Sequence, residues 1–336
     1  MTKPTVHFVY ATPYSKVDQY QLKLLGRKLW HQSWDRYRWP APVQAPLSIT
    51  YHVARRLSER FPVKLYNLHE RIDLRPEDGD ILLGHPVNDC DSVVWRALAD
   101  NRFHRKYLIA PYNHDPRQVG WLAEAVEQCD KFFAICGNYW IDTLDRSPLL
   151  GLRDKLVHLN MALDPADYPL LKTTFNPPGK RKFFYIGRLG TEKGVDLLEG
   201  FAASGRGFSG GFICSGGDIK GWKRISVPRK LTPDFMAAVA REYDIFINMS
   251  RADAQATTIL EAMSWGFPVA CTRESGYTKE DFTYLDLDDA EGNLKRLEAL
   301  QELPESELKC MSEGNRNRLQ ERYGWNNFLN ILEENL

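Results

Sequence analysis

The chain has 336 residues, more than one hydrophobic core usually serves, so two domains are the expectation. Apolar residues make up 43% and charged residues 26%, the balance of a globular protein in water. Lys plus Arg equals Asp plus Glu at 44 each, which excludes a net field that would recruit nucleic acid or an anionic membrane. The six cysteines form no CxxC pair and sit mostly in apolar surroundings, as reduced thiols do. No apolar run reaches membrane-spanning length, and the opening "MTKPTVHFVYATP" reads as a strand rather than a signal peptide. A cytoplasmic protein without a transmembrane segment is expected.

Along the chain, short apolar runs alternate with amphipathic ones. Strands are expected at 5–11, 63–68, 80–86, 106–112 and 131–137, with 155–163 closing the series. Between them, "LSITYHVARRLSERF" places Thr50, Val53, Ala54, Leu57 and Phe61 on one helical face, and "GWLAEAVEQC" (120–129) is also helical. Residues 164–182 then hold four prolines, a glycine and four basic residues, the chemistry of a linker. After it the alternation restarts: strands at 183–187, 210–217, 244–250 and 267–272, and helices at 195–203, 232–243 and 258–265. Strands separated by helices imply parallel pairing with helices on both faces. The expected fold class is α/β, two Rossmann-like domains facing each other across a cleft. Open parallel sheets bind ligands beyond the carboxyl ends of their strands.

Two stretches carry chemistry. In "GRLGTEKG" (187–194) a buried strand ends at Gly187, and the following loop presents Arg188 and Lys193. Arg offers a planar fork for phosphate oxygens and Lys a compact charge. Fixed cations of this kind stabilise a departing diphosphate more than a bound one. Taken alone, the same loop reads as a solvated surface turn. In "DAQATTILEAMSWGFPV" (253–269), Asp253 and Glu261 lie eight positions apart around the start of a helix. Thr258 to Glu261 also spells a capping box, in which Glu261 would reach back to its own helix start.

Together, "YIGRLGTEKGVDLLEGFA" (185–202) and "DAQATTILEAMSWGFPV" resemble glycosyltransferase family 4 and its relatives, which have the GT-B fold. The terminal "ERYGWNNFLNILEENL" (321–336) resembles the family's closing helix. The second half matches well; the first half matches in strand–helix order and weakly in letters. The resemblance implies an acceptor-side domain at 1–165, a nucleotide-sugar domain at 166–320 and a terminal helix at 321–336 that packs back on the first. It implies transfer of a glycosyl group from a nucleotide sugar, UDP- or GDP-linked, to an acceptor hydroxyl, with retention, no cofactor and no metal. Arg188 and Lys193 would hold the diphosphate, Glu261 the ribose hydroxyls, and Asp253 would lie by the sugar. Gly187 and the helix-start residues Thr257 and Thr258 complete the expected donor set, because helix N-terminal amides bind phosphate. The acceptor is expected to be a glycan, a lipid-linked group or a small molecule. A sugar-nucleotide epimerase and a non-catalytic nucleotide-sugar binder remain alternatives.

Departures from the family pattern bear on the donor sugar. Asp253 stands where a Glu is usual, and Ala254 and Ala256 replace glycines that let the backbone approach the sugar. In "IAPYNHDP" (109–116), His114 matches a histidine that relatives carry near the donor sugar and acceptor hydroxyl; His85 in "LLGHP" is the runner-up, and a turn role for His114 is the alternative. The glycine pair expected after the first strand is missing, and an insert at 11–46 intervenes. It carries Tyr20, Trp30, Trp34, Tyr37 and Trp39, with five basic residues between Lys23 and Arg38. That mixture suits a sugar platform or a peripheral membrane contact through residues 20–40. A helix packed on its own domain is the preferred reading. "DLD" (286–288) has the form of a metal motif of another fold, but it precedes a helix, so Asp288 or Asp289 is read as an N-cap.

Overall fold

The computed structural model describes residues 3–12, 44–69, 72–208, 210–214, 216–225 and 231–336; most of the insert at 11–46, including 20–40, lies outside them. In chain order the elements begin with β1 (Val6–Tyr10), α1 (Leu47–Ser58), β2 (Val63–Asn67) and β3 (Asp80–Gly84). Next come α2 (Val93–Leu98), β4 (Phe103–Pro111), α3 (Pro116–Glu127), β5 (Lys131–Ile135), α4 (Asn138–Asp142) and β6 (Leu156–Leu159). They continue with β7 (Phe183–Ile186), α5 (Val195–Ala203), β8 (Gly210–Ile213), β9 (Lys223–Arg224), α6 (Pro233–Glu242) and β10 (Ile245–Asn248). The chain ends with α7 (Thr257–Trp265), β11 (Val269–Thr272), β12 (Thr283–Leu285), α8 (Ala290–Glu302), α9 (Glu305–Arg322) and α10 (Trp325–Asn335).

These elements form two units. One comprises Met1–Ile135, Leu144–Leu159 and Trp325–Leu336; the other comprises Cys136–Thr143 and Asn160–Gly324. Each holds one six-stranded sheet, and all its pairings are parallel. Every residue of β1, β3, β7, β10 and β11 is buried, because helices cover both faces of a parallel sheet. That is why these strands read as unbroken apolar runs.

In the first unit the strand order is β2-β1-β3-β4-β5-β6. The order reverses between β1 and β3. Helix α10 packs on α1 in this unit: Trp325 stacks on His52, with ring centroids 4.1 Å apart, and Arg56 Nε donates to Glu333 at 2.8 Å. In the second unit the order is β12-β11-β10-β7-β8-β9, which reverses between β7 and β10. Its core joins Phe183 and Tyr185 of β7, Leu198 and Phe201 of α5, and Ile245 and Ile247 of β10.

The segment expected as a linker is tied into the second unit. Lys172, 3% exposed, donates to Asp244 at 2.8 Å and to the Ala240 carbonyl at 2.9 Å. Asp244 is fully buried and also accepts from both Asn176 nitrogens, at 2.9 and 2.8 Å. Arg181, 1% exposed, donates to the Gln301 carbonyl at 2.9 Å. Buried cations persist where every neighbouring lone pair is used to compensate them.

Candidate functional site

The second sheet reverses between β7 and β10, the place where open parallel sheets hold ligands. The loops leaving these two strands carry most of the residues singled out in the sequence. β7 ends at Ile186, and Gly187 continues the pairing through its N–H to the Ile213 carbonyl at 3.1 Å. A Cβ at Gly187 would fall 2.3 Å from the Tyr185 hydroxyl, which passes it to donate to the Arg188 carbonyl at 2.7 Å. A side chain at 187 would have to displace that hydroxyl. Arg188 is exposed, and no polar partner of its guanidinium is found among the described residues.

A short 3-10 turn, Thr191–Lys193, leads to Gly194, whose φ of 64° is left-handed. A Cβ there would lie 2.1 Å from the Met249 carbonyl oxygen, so the loop after β7 rests directly on the exit of β10. Arg251 clasps the two loops. Its N–H donates to the Glu192 carbonyl at 2.8 Å, and its guanidinium donates to the Thr191 carbonyl at 2.8 Å and to both carboxylate oxygens of Asp196 at 2.7 and 2.8 Å. The neighbouring guanidinium holds the Asp196 carboxyl below its usual range. Arg251 was not among the expected site residues. Its place just beyond a buried strand is the only signal for it in the letters.

The clasp brings Lys193 and Asp253 together as an ion pair, with side chains 14% and 20% exposed. The backbone carrying Asp253 is held on several sides. Its N–H donates to the Glu274 carbonyl at 2.9 Å, and its carbonyl accepts from Trp140 Nε1 at 2.6 Å. The Ala254 carbonyl accepts from the Gly137 N–H at 2.8 Å. Gly137 and Gly276 pass so close that a Cβ on Gly137 would fall 1.6 Å from the Gly276 carbonyl oxygen. Gln255, 5% exposed, accepts from the Met161 N–H at 2.5 Å, and Tyr139 donates to Glu274 at 2.8 Å.

Helix α7 starts at Thr257, with Ala256 as N-cap and no side-chain cap. Thr257 and Thr258 are half-buried at this end, where helix amides have no carbonyl of their own. Glu261 does not close a capping box. It is 8% exposed and its hydrogen-bond partner is the Tyr168 hydroxyl, 3.5 Å from Oε1. Burial pushes its carboxyl up to about 7, against a smaller opposite pull from Tyr168. It makes no bond to Lys193 or Asp253. At the decoy motif, Asp289 caps α8 by accepting from the Gly292 N–H at 2.8 Å.

His114 belongs to the first unit, after β4. Its Nδ1 lies 2.8 Å from the Tyr112 hydroxyl, which donates to Ser147 at 2.8 Å. The turn role falls to its neighbours: Asn113 accepts from the Asp115 N–H at 2.9 Å, and Asp115 caps α3 by accepting from the Arg117 N–H at 3.0 Å. His85 follows β3, beside the reversal of the first sheet. Its Nδ1 faces the Ile109 carbonyl at 3.2 Å, and burial lowers its pKa to about 4. A carbonyl only accepts, so Nδ1 carries the proton and Nε2 is the bare nitrogen.

No known protein-family signature matches the sequence, and no curated protein matches it. Solved structures do. A glycosyltransferase from Rickettsia africae ESF-5 is similar over 99% of this chain and 98% of that one, with a TM-score of 0.58 and 14% identity. The lipopolysaccharide outer core galactosyltransferase WaaB is similar over 99% and 100%, with a TM-score of 0.57 and 15% identity. TarM aligns with 77% of this chain at a TM-score of 0.56 and 12% identity, and the chain spans 54% of TarM's length. At these identities the likeness is one of fold: two Rossmann-like units built on parallel six-stranded sheets, as in GT-B glycosyltransferases.

Proposed function

We propose that the protein transfers a glycosyl group from a UDP- or GDP-linked sugar to an acceptor hydroxyl, as a family 4-like transferase of the EC 2.4 class. The observation that carries this reading is the ion pair of Lys193 and Asp253 at the strand reversal between β7 and β10, with Arg188 on the same loop as Lys193. Negative charge builds on the diphosphate as the sugar departs, and Arg188 and Lys193 stabilise it where it develops. Asp253 orients the sugar, and the α7 amides at Thr257 and Thr258 add donors to phosphate oxygens. Glu261 accepts from the ribose hydroxyls. His114 positions the acceptor or moves its proton, its ring oriented by Tyr112. The family resemblance adds retention at the anomeric carbon. A glycan, a lipid-linked group or a small molecule fits the acceptor role, and the chain works without a metal because its own cations neutralise the leaving group. Among the described residues no helix is long and apolar enough to cross a membrane.

The test is nucleoside diphosphate release from UDP- and GDP-sugars, with and without acceptor mixtures, in excess chelator. The expected result is acceptor-dependent release. Isomerised donor formed without acceptor would make the chain an epimerase, and donor binding without turnover would make it a binder. Activity lost to chelator and restored by manganese would overturn metal independence.

A further inference from the structure

Glu261, Ser264 and Trp265 lie at helical spacings of three and four, so they share one face of α7. Tyr168 is seated on that face by all three. Ser264 Oγ donates to the Tyr168 carbonyl at 2.6 Å, the Trp265 and Tyr168 ring centroids are 5.6 Å apart, and the Tyr168 hydroxyl donates to Glu261 Oε1 at 3.5 Å. The chain beyond it is pinned as well: the N–H groups of Leu171 and Lys172 donate to the Trp265 carbonyl at 2.9 and 2.8 Å, and Lys172 is locked onto Asp244. The Tyr168 hydroxyl therefore stays against Glu261.

A carboxylate accepts at about four lone-pair positions. Glu261, buried as it is, has one long hydrogen bond among the described residues, which leaves room for the two hydroxyls of a ribose. The other charged groups on this part of the helix are few. Arg316 of α9 donates to the Ser264 carbonyl; Asp164 and Asp167, just before Tyr168 in the chain, are exposed, and the Asp167 charge acts on the Tyr168 hydroxyl. The elements packed against α7 from β10 and β11 bring no charge into contact with Glu261.

We infer that Tyr168 is a positioning residue of the donor site, one whose hydroxyl holds Glu261 in place to receive the ribose of a nucleoside diphosphate sugar. The inference rests on the reading of Glu261 as the ribose ligand. Burial favours the protonated carboxyl and the tyrosine bond favours the ionised one, so the two oppose each other near neutrality. Ribose hydroxyls add further donors, which favour the ionised form again. Donor binding is thereby coupled to loss of a proton from Glu261, and affinity falls as the pH drops below the carboxyl's midpoint.

The experiment is calorimetric titration of the full chain with UDP-glucose and GDP-mannose from pH 6 to pH 8.5, for wild type, Tyr168→Phe and Glu261→Gln. The diphosphate of a nucleotide sugar has no group titrating in that range, so the profile reports the protein. The phenylalanine keeps the ring on Trp265 and removes only the hydroxyl; a melting curve of each variant verifies the fold. For whichever donor binds, wild-type affinity should fall roughly tenfold per pH unit on the acid side. Tyr168→Phe should move the midpoint upward, bind about threefold or more weakly at pH 7, and recover at pH 8.5. Glu261→Gln should bind weakly with a flat profile. A Tyr168→Phe profile that superimposes on wild type, while Glu261→Gln loses affinity, overturns the role of Tyr168 and leaves the ribose reading intact. Should Tyr168→Phe unfold, the wild-type profile decides: affinity independent of pH across this range overturns the coupling. Wild-type affinity in Glu261→Gln, or a wild type that binds neither donor, overturns both.

Discussion

Lys193 and Asp253, sixty residues apart in the chain, meet as an ion pair where the second sheet reverses its strand order. Each offsets the other's charge. On the proposed reading, a donor diphosphate would have to share Lys193 with Asp253. Asp253→Asn should therefore bind free nucleoside diphosphate more tightly than wild type while turning over more slowly. Lys193→Ala should bind it more weakly and lose more than tenfold in kcat, since about 1.4 kcal/mol of transition-state stabilisation is already tenfold. Titration with UDP and GDP and steady-state rates check both; equal affinities in Asp253→Asn and wild type would separate the pair from the diphosphate.

Arg188 differs from Lys193 in having no structural duty. Its side chain is exposed and its carbonyl, not its guanidinium, is what Tyr185 holds. Arg188→Ala should melt with wild type, as exposed substitutions away from caps and networks do, within about 0.5 kcal/mol. Turnover should nonetheless fall more than tenfold. A melting curve and a rate on the same sample decide the point, and unchanged kcat in the folded variant would remove Arg188 from the donor set.

Lys172 gives a prediction about stability alone. Removing it by Lys172→Ala leaves Asp244 buried with only Asn176 and nearby N–H groups to offset its charge. Breaking one side of a buried pair costs about 3–5 kcal/mol. The double variant Lys172→Met, Asp244→Asn should recover most of that loss, because no uncompensated charge remains. Denaturant unfolding of the three chains measures it.

Glu261 should make stability depend on pH in an unusual direction. Its carboxyl titrates near 7 in the folded chain and near 4.5 when free. Between those values the folded state holds a proton that the unfolded state has lost, so stability falls as the pH rises through that window. The shift corresponds to a loss on the order of 3 kcal/mol, fully present above about pH 7. Glu261→Gln removes this dependence. Its melting temperature should match wild type near pH 4.5 and exceed it at pH 8, and a difference that stays constant with pH would contradict the buried-charge account.

Much of this architecture was legible in the letters, for physical reasons that also mark the failures. Strands buried on both faces, such as "FFYI" and the "IFI" of β10, are continuous apolar runs, and helix α5 occupies the residues 195–203 expected of it. Helix α9 escaped because its buried face is itself partly polar: Ser312 and Asn315 lie between Leu308 and Leu319 on it. Hydrophobic periodicity cannot register such a stripe. The stretch 164–182 looked like a linker because proline, glycine and basic residues usually mean exposure. The fully buried Asp244 explains why Lys172 lies inside and Asn176 turns toward it. The capping box at Thr258 was a match of letters without the geometry, since the helix begins one residue earlier and Glu261 turns toward Tyr168. Arg251 and Trp140 act through backbone carbonyls, and a carbonyl leaves no trace in sequence.

Residues Cys136–Thr143 belong to the second unit although chain of the first unit precedes and follows them. The second unit therefore cannot be excised as one continuous piece. A fragment cut at Asn160 and Gly324 would leave behind the Gly137 N–H and Trp140 indole that cover the Ala254 and Asp253 carbonyls, and the Tyr139 hydroxyl that meets Glu274. Such a fragment would keep Arg188, Lys193 and Asp253 and lose the contacts that hold the Asp253 backbone. Domain exchange between proteins of this kind would meet the same obstacle: a swap boundary drawn at a single peptide bond transplants the side chains without the eight-residue loop that orders them.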